Sequence, residues 1–123
     1  MTTGTLFSNI GYDQNAGGPP VPAATVVNTG GLITKADFTL TVTPSTGWAE
    51  AAVWWGPDNV AWPGMFGIYS APSGGGTVTE TKRFHAAALE PAVQPAANDG
   101  PQYFKAELVT ISPGATATLT MTY

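Results

Sequence analysis

Ala36-Asp37-Phe38-Thr39-Leu40-Thr41-Val42-Thr43 is the stretch that decides the fold. In an extended chain successive side chains point to opposite faces. Ala36, Phe38, Leu40 and Val42 therefore share one face, and Asp37, Thr39, Thr41 and Thr43 share the other. One face apolar and one face hydroxylated is the pattern of a half-buried β-strand. The last stretch repeats it, with Ala117, Leu119, Met121 and Tyr123 opposite Thr116, Thr118, Thr120 and Thr122.

Working outward, the spacing predicts further short strands separated by turn residues. Ala24–Val27 is a β-branched run closed by Asn28-Thr29-Gly30-Gly31, which predicts a hairpin into the next strand. After the break at Pro44-Ser45-Thr46-Gly47, Trp48–Trp55 is apolar on both faces, as expected of a strand that is central or lies at an interface. Gly56-Pro57-Asp58-Asn59 reads as a turn, Met65–Ala71 as a strand and Pro72–Gly76 as a loop. Thr77–Phe84 carries Glu80, Lys82 and Arg83, suiting an edge strand guarded by charge. His85–Leu89 is expected to add a helical turn before a linker over Glu90–Gly100. Gln102–Ile111 and Thr116–Tyr123 then close the domain as a hairpin around Ser112-Pro113-Gly114. Seven or so short strands at this spacing predict a single antiparallel β-sandwich.

The 123 residues suffice for one domain, and 43% hydrophobic residues suffice for its core. Charged residues are only 10% of the chain against a usual quarter or so, and eight acids face four bases for a net charge of −4. That balance gives no electrostatic footprint for nucleic acid or for an anionic membrane surface. Without cysteine there is no disulfide framework and no thiolate metal site. Residues 1–20 contain neither a basic nor an apolar leader segment, so synthesis and folding in a cytoplasm are expected.

Two units are expected. Residues 1–22 form an extended N-terminal arm, in which Leu6, Phe7, Ile10 and Tyr12 recur without period before Gly17-Gly18-Pro19-Pro20-Val21-Pro22, and residues 23–123 form the sandwich. The alternative for the first segment is an edge strand over Thr5–Ile10.

The inventory for catalysis is thin. His85 stands alone beside Lys82 and Arg83, and Glu50, Asp58, Glu80 and Glu90 are scattered acids. No serine sits in a Gly-x-Ser-x-Gly elbow, and Gly74-Gly75-Gly76 lacks the lysine of a phosphate loop. Asp13-Gln14-Asn15 opens like a calcium loop but has no closing acid. The expectation is a non-enzymatic chain with no cofactor and no metal.

Aromatic crowding is the feature that points to binding, with Trp48, Trp54, Trp55, Trp62, Phe66 and Tyr69 falling within 22 residues. Such rings serve as core, as buried anchors of a protein interface, or as stacking platforms for sugars beside Asp58 and Asn59. Trp54 and Trp55 are adjacent in a strand and must face opposite ways, so one of them needs cover from outside the core. Candidate contact residues are Leu6, Phe7, Ile10, Tyr12, Trp55, Trp62, Phe66 and Tyr69.

Three stretches, Thr25-Val26-Val27-Asn28-Thr29-Gly30-Gly31, Phe38-Thr39-Leu40-Thr41-Val42-Thr43-Pro44 and Ser112-Pro113-Gly114-Ala115-Thr116-Ala117-Thr118-Leu119-Thr120, resemble immunoglobulin-like β-sandwich modules of bacterial and phage proteins. In size, acidic balance and low Lys content the chain is also similar to small virion proteins of tailed bacteriophages, such as capsid decoration proteins. The resemblance implies an immunoglobulin-like sandwich that docks on a major capsid or other virion protein and resides in the virion. It further implies a homo-oligomer, for which a trimer would suit decoration. The alternative it leaves open is a carbohydrate-binding or adhesion module.

Overall fold

The computed structural model describes residues 2–11, 25–31, 33–84 and 101–123. Tyr12, the calcium-like Asp13-Gln14-Asn15, the His85–Leu89 turn and the Glu90–Gly100 linker lie outside these residues. Among the described residues there are eight strands: β1 (Thr3–Gly11), β2 (Val27–Asn28), β3 (Lys35–Thr43), β4 (Ala49–Gly56), β5 (Gly64–Ser70), β6 (Thr77–Arg83), β7 (Tyr103–Ile111) and β8 (Thr116–Thr122). They form two four-stranded sheets, β1-β8-β3-β6 and β2-β7-β4-β5, in which every pairing is antiparallel. The expected antiparallel β-sandwich is thus what the chain adopts.

The strand order departs from the immunoglobulin pattern. Of the consecutive strands only β4 and β5 pair, while every other connection crosses between the sheets. An immunoglobulin domain instead pairs its first two strands in one sheet. Eight strands interleaved in this way form a jelly roll. The two hairpins expected at Asn28–Gly31 and Ser112–Gly114 are therefore crossings. Around Asn28, the Thr29 N–H donates to the Gln102 carbonyl at 2.9 Å and Gln102 Nε2 donates to Asn28 Oδ1 at 2.9 Å, tying the turn to the start of β7. At the other turn, the Ser112 N–H donates to the Trp48 carbonyl at 2.9 Å, and the Trp48 N–H donates to Ser112 Oγ at 3.0 Å. These bonds hold β7 where the chain turns across to the other sheet. Local turn chemistry was right at both places; the partner strand was set by non-local bonds.

The core lies between the sheets. Phe38, Leu40, Leu119 and Met121 from one sheet meet Val53, Ile68, Phe104, Leu108 and Ile111 from the other, all buried. Five rings run in sequence through it: Phe66 to Phe38 at 4.9 Å, Phe38 to Phe104 at 5.8 Å, Phe104 to Phe84 at 5.6 Å and Phe84 to Trp55 at 5.4 Å. Each pair is tilted or edge-on, the arrangement that ring quadrupoles favour. As expected, Ala36, Phe38, Leu40 and Val42 are buried, and so are Ala117, Leu119 and Met121.

Thr3–Gly11 is a strand of the sandwich, paired with β8 through two register shifts, so this part of the expected arm is the alternative edge strand. Leu6 and Phe7 both lie in the chain's own core because the shift between Thr5 and Phe7 brings neighbours to the inner face together.

The outer face of the β1-β8-β3-β6 sheet is a threonine surface. Thr5, Thr120, Thr39 and Thr79 fall in one cross-strand row, and the Thr39 and Thr79 hydroxyls lie 3.0 Å apart. Thr81 donates to the Asp37 carboxylate in the next row. β-branched side chains favour the extended backbone, and their hydroxyls keep the surface wet with little charge.

Candidate protein-interaction face

The second sheet presents a different outer face. Pairing sets it row by row: Glu107, Ala52 and Gly67 lie side by side, as do Lys105, Trp54 and Met65, while Tyr69 lies beside Glu50. Met65 is 56% exposed and Tyr69 49% exposed. Val109, the extra residue at the β7 register shift opposite Glu50 and Ala51, is 42% exposed. Trp62 joins this face from the loop before β5, with Lys105 Nζ 4.4 Å from its ring centroid. An ammonium over an indole contributes about 0.5–1 kcal/mol when exposed, which fixes Trp62 and occupies one face of its ring.

The adjacent tryptophans divide as strand geometry requires. Trp55 turns inward against the core and Phe84, while Trp54 turns outward and is half-buried between Lys105 and Met65. Of the candidate contact residues, Trp62 and Tyr69 are therefore on the outer face. Trp55, Phe66 and Ile10 pack against the core, and Leu6 and Phe7 are within it. Trp54, Met65 and Val109 are the members that the sequence did not nominate. Glu50 was the usable signal for Trp54, since a charge four positions earlier in a strand shares its face and marks it as the wet one.

The loop between β4 and β5 projects Val60, 85% exposed, beside this face. Asp58 Oδ1 holds the loop by accepting from the Ala61 N–H at 2.8 Å and the Val60 N–H at 2.9 Å. Those two bonds, Ala61 first, hold the Asp58 carboxyl below the usual carboxylate range. A depressed folded value means the anchoring is fully present above the unfolded value and is lost as pH falls through the folded one. In NMR titrations the Val60 and Ala61 amide shifts should move together with Asp58, with a midpoint below that of a free Asp. A midpoint at or above the free value would rule the anchoring out.

Among the described residues no group of three or more His, Asp or Glu could hold a metal ion, and no helix is long and apolar enough to cross a membrane.

The fold and this face define a jelly-roll domain with a hydroxylated outer face on one sheet and an aromatic, partly apolar outer face on the other. No protein-family model matches the chain, and no curated protein matches it. Among solved structures it is similar to a chain of "X-ray structure of Triatoma virus empty capsid", with 9% identity over 83% of this chain and 84% of that one and a TM-score of 0.37. A likeness at that level carries no argument about what the chain does.

Proposed function

We propose that the chain is a non-enzymatic structural protein that docks on a larger protein assembly, as a virion accessory component of the capsid decoration type. The observation that carries this reading is the outer face of the β2-β7-β4-β5 sheet, where Trp54, Trp62, Met65, Tyr69 and Val109 gather. Aromatic residues and Met are enriched where protein interfaces bury their anchors. Its partner would be a major capsid or other virion protein, and its place the virion after synthesis in a host cytoplasm.

Jelly rolls serve in viral capsids and in lectins alike, so the fold itself does not separate docking from glycan binding. The ring geometry favours docking. Trp55 is turned into the core and one face of Trp62 is taken by Lys105, which leaves Tyr69 and the other face of Trp62 as the platforms a sugar would stack on.

Particles banded on a density gradient from cells producing the virus that encodes the chain test the reading. The wild-type chain should band with the particles, and Trp54→Lys, shown to be folded by circular dichroism, should remain in the free-protein fractions. A wild-type chain absent from the particles, or a Trp54→Lys chain that still bands with them, overturns it.

A further inference from the structure

An edge strand presents unpaired backbone N–H and C=O groups, and soluble proteins blunt such edges with charges, bulges or brevity. Three of the four edges here carry one of these devices. β1 has two register shifts, and β2 is two residues long. β6 points Glu80 and Lys82 toward the inner side, where they lie 3.6 Å apart and Lys82 Nζ sits 4.7 Å over the Phe66 ring. The fourth edge, β5, is Gly64-Met65-Phe66-Gly67-Ile68-Tyr69-Ser70, seven residues with no charge and no proline. Among the described residues no strand pairs its outer side.

The sequence of β5 reads nearly the same from both ends: small, apolar, apolar, Gly67, apolar, apolar, small. We propose that β5 pairs antiparallel with β5 of a second copy about a two-fold axis at Gly67, joining the two β2-β7-β4-β5 sheets into one of eight strands. An isologous contact needs a self-complementary patch, and this register supplies one. Met65 then lies beside Tyr69 of the second copy, twice, and a thioether against an aromatic ring is a favourable contact. Phe66 lies beside Ile68 on the inner side, and Gly67 meets its own counterpart, where no side chain obstructs the approach of the backbones.

The charges fit as well. Each outer row beside the axis reads Lys105, Trp54, Met65, then Tyr69 and Glu50 of the second copy, one cation and one anion. In the central row the two Glu107 residues are five strand spacings apart, about 24 Å at roughly 4.8 Å per strand. That exceeds the Debye length of about 8 Å at physiological salt. In these outer rows no like charges are brought together although the chain carries a net −4. The inference names the surface and symmetry of self-association within the assembly role. It rests on that role only in taking the chain to associate, and it is read on the isolated protein, so failure in the particle experiment leaves it standing.

Light scattering on the full chain, over a concentration series, should give a dimer. A Cβ on Gly67 would meet only the Ala51 carbonyl oxygen at 3.8 Å, an ordinary contact, so Gly67→Lys and Gly67→Glu should fold as the wild type does. Each alone should be a monomer, because the axis sets position 67 against itself and like charges directly opposite are repulsive. Mixing the two should restore the dimer, and Gly74→Lys, which adds the same charge in an open loop, should stay dimeric. A wild-type chain that is monomeric throughout, or trimeric, overturns the proposal. So does a Gly67→Lys chain that remains dimeric, or a mixture that does not recover.

Discussion

Phe38→Ala should cost about 3–5 kcal/mol, the usual range for truncating a fully buried phenylalanine. Phe38 has no exposed surface and sits on β3 between β8 and β6. Its ring is the link between Phe66 at 4.9 Å and Phe104 at 5.8 Å, one ring from each side of its place in the aromatic run. Deleting it removes transfer free energy and leaves a cavity whose walls belong to two paired sheets, which resist collapse. Total stabilities are about 5–15 kcal/mol, so the loss is a large share, and the melting temperature should fall by roughly 10–20 °C. Thr39→Ala, next in the chain but on the wet face, loses only an exposed hydroxyl contact with Thr79 and should cost about 1 kcal/mol or less. Denaturant melts of the two variants check the contrast, and equal losses would mean that Phe38 does not anchor the core.

Gly64→Ala should cost about 2–3 kcal/mol, at the upper end for overpacking. A Cβ at Gly64 would fall 1.8 Å from Cε2, 2.1 Å from Cζ2 and 2.3 Å from Nε1 of Trp55. The indole packs over the glycine, its cross-strand partner, and edge-on against Phe84, so a single methyl must displace a rigid ring that is already packed. The near-ultraviolet circular dichroism of the tryptophans should change with stability. Coupling is the sharper measurement: once Trp55→Leu has removed the ring, Gly64→Ala should cost markedly less. Additive losses would show that the glycine is not there for Trp55.

Period-two alternation carried most of the fold in plain view. It placed β3 and β8 and sorted Phe38, Leu40, Leu119 and Met121 to the inside, because in a half-buried strand the same residue pattern that favours extension also says which face is wet, while turn residues and charge bounded β5, β6 and β7. β1 was harder to see, since its two register shifts interrupt the alternation and leave Leu6 and Phe7 adjacent in the core. The aromatic outer face was legible only in outline. That one of Trp54 and Trp55 must face outward followed from adjacency alone, but the choice of Trp54 follows from which β4 face meets Phe84 and the core.

What the sequence determined by itself, then, is a sandwich of half-buried antiparallel strands, the core residues of β3 and β8 and the sign of its charge. These depend on side-chain pattern along one strand at a time. What the tertiary structure decided is the order of the strands, and with it the jelly roll and the unguarded edge at β5. Asn28-Thr29-Gly30-Gly31 and Ser112-Pro113-Gly114 turn the chain equally well into a hairpin or across to the opposite sheet. The outcome is set by bonds to Gln102 and Trp48, more than sixty residues away in each case, such as the Gln102–Asn28 bond spanning 74 positions and the Trp48–Ser112 bond spanning 64. Pairing partners are a property of two strands together, and no local pattern in either one specifies the other.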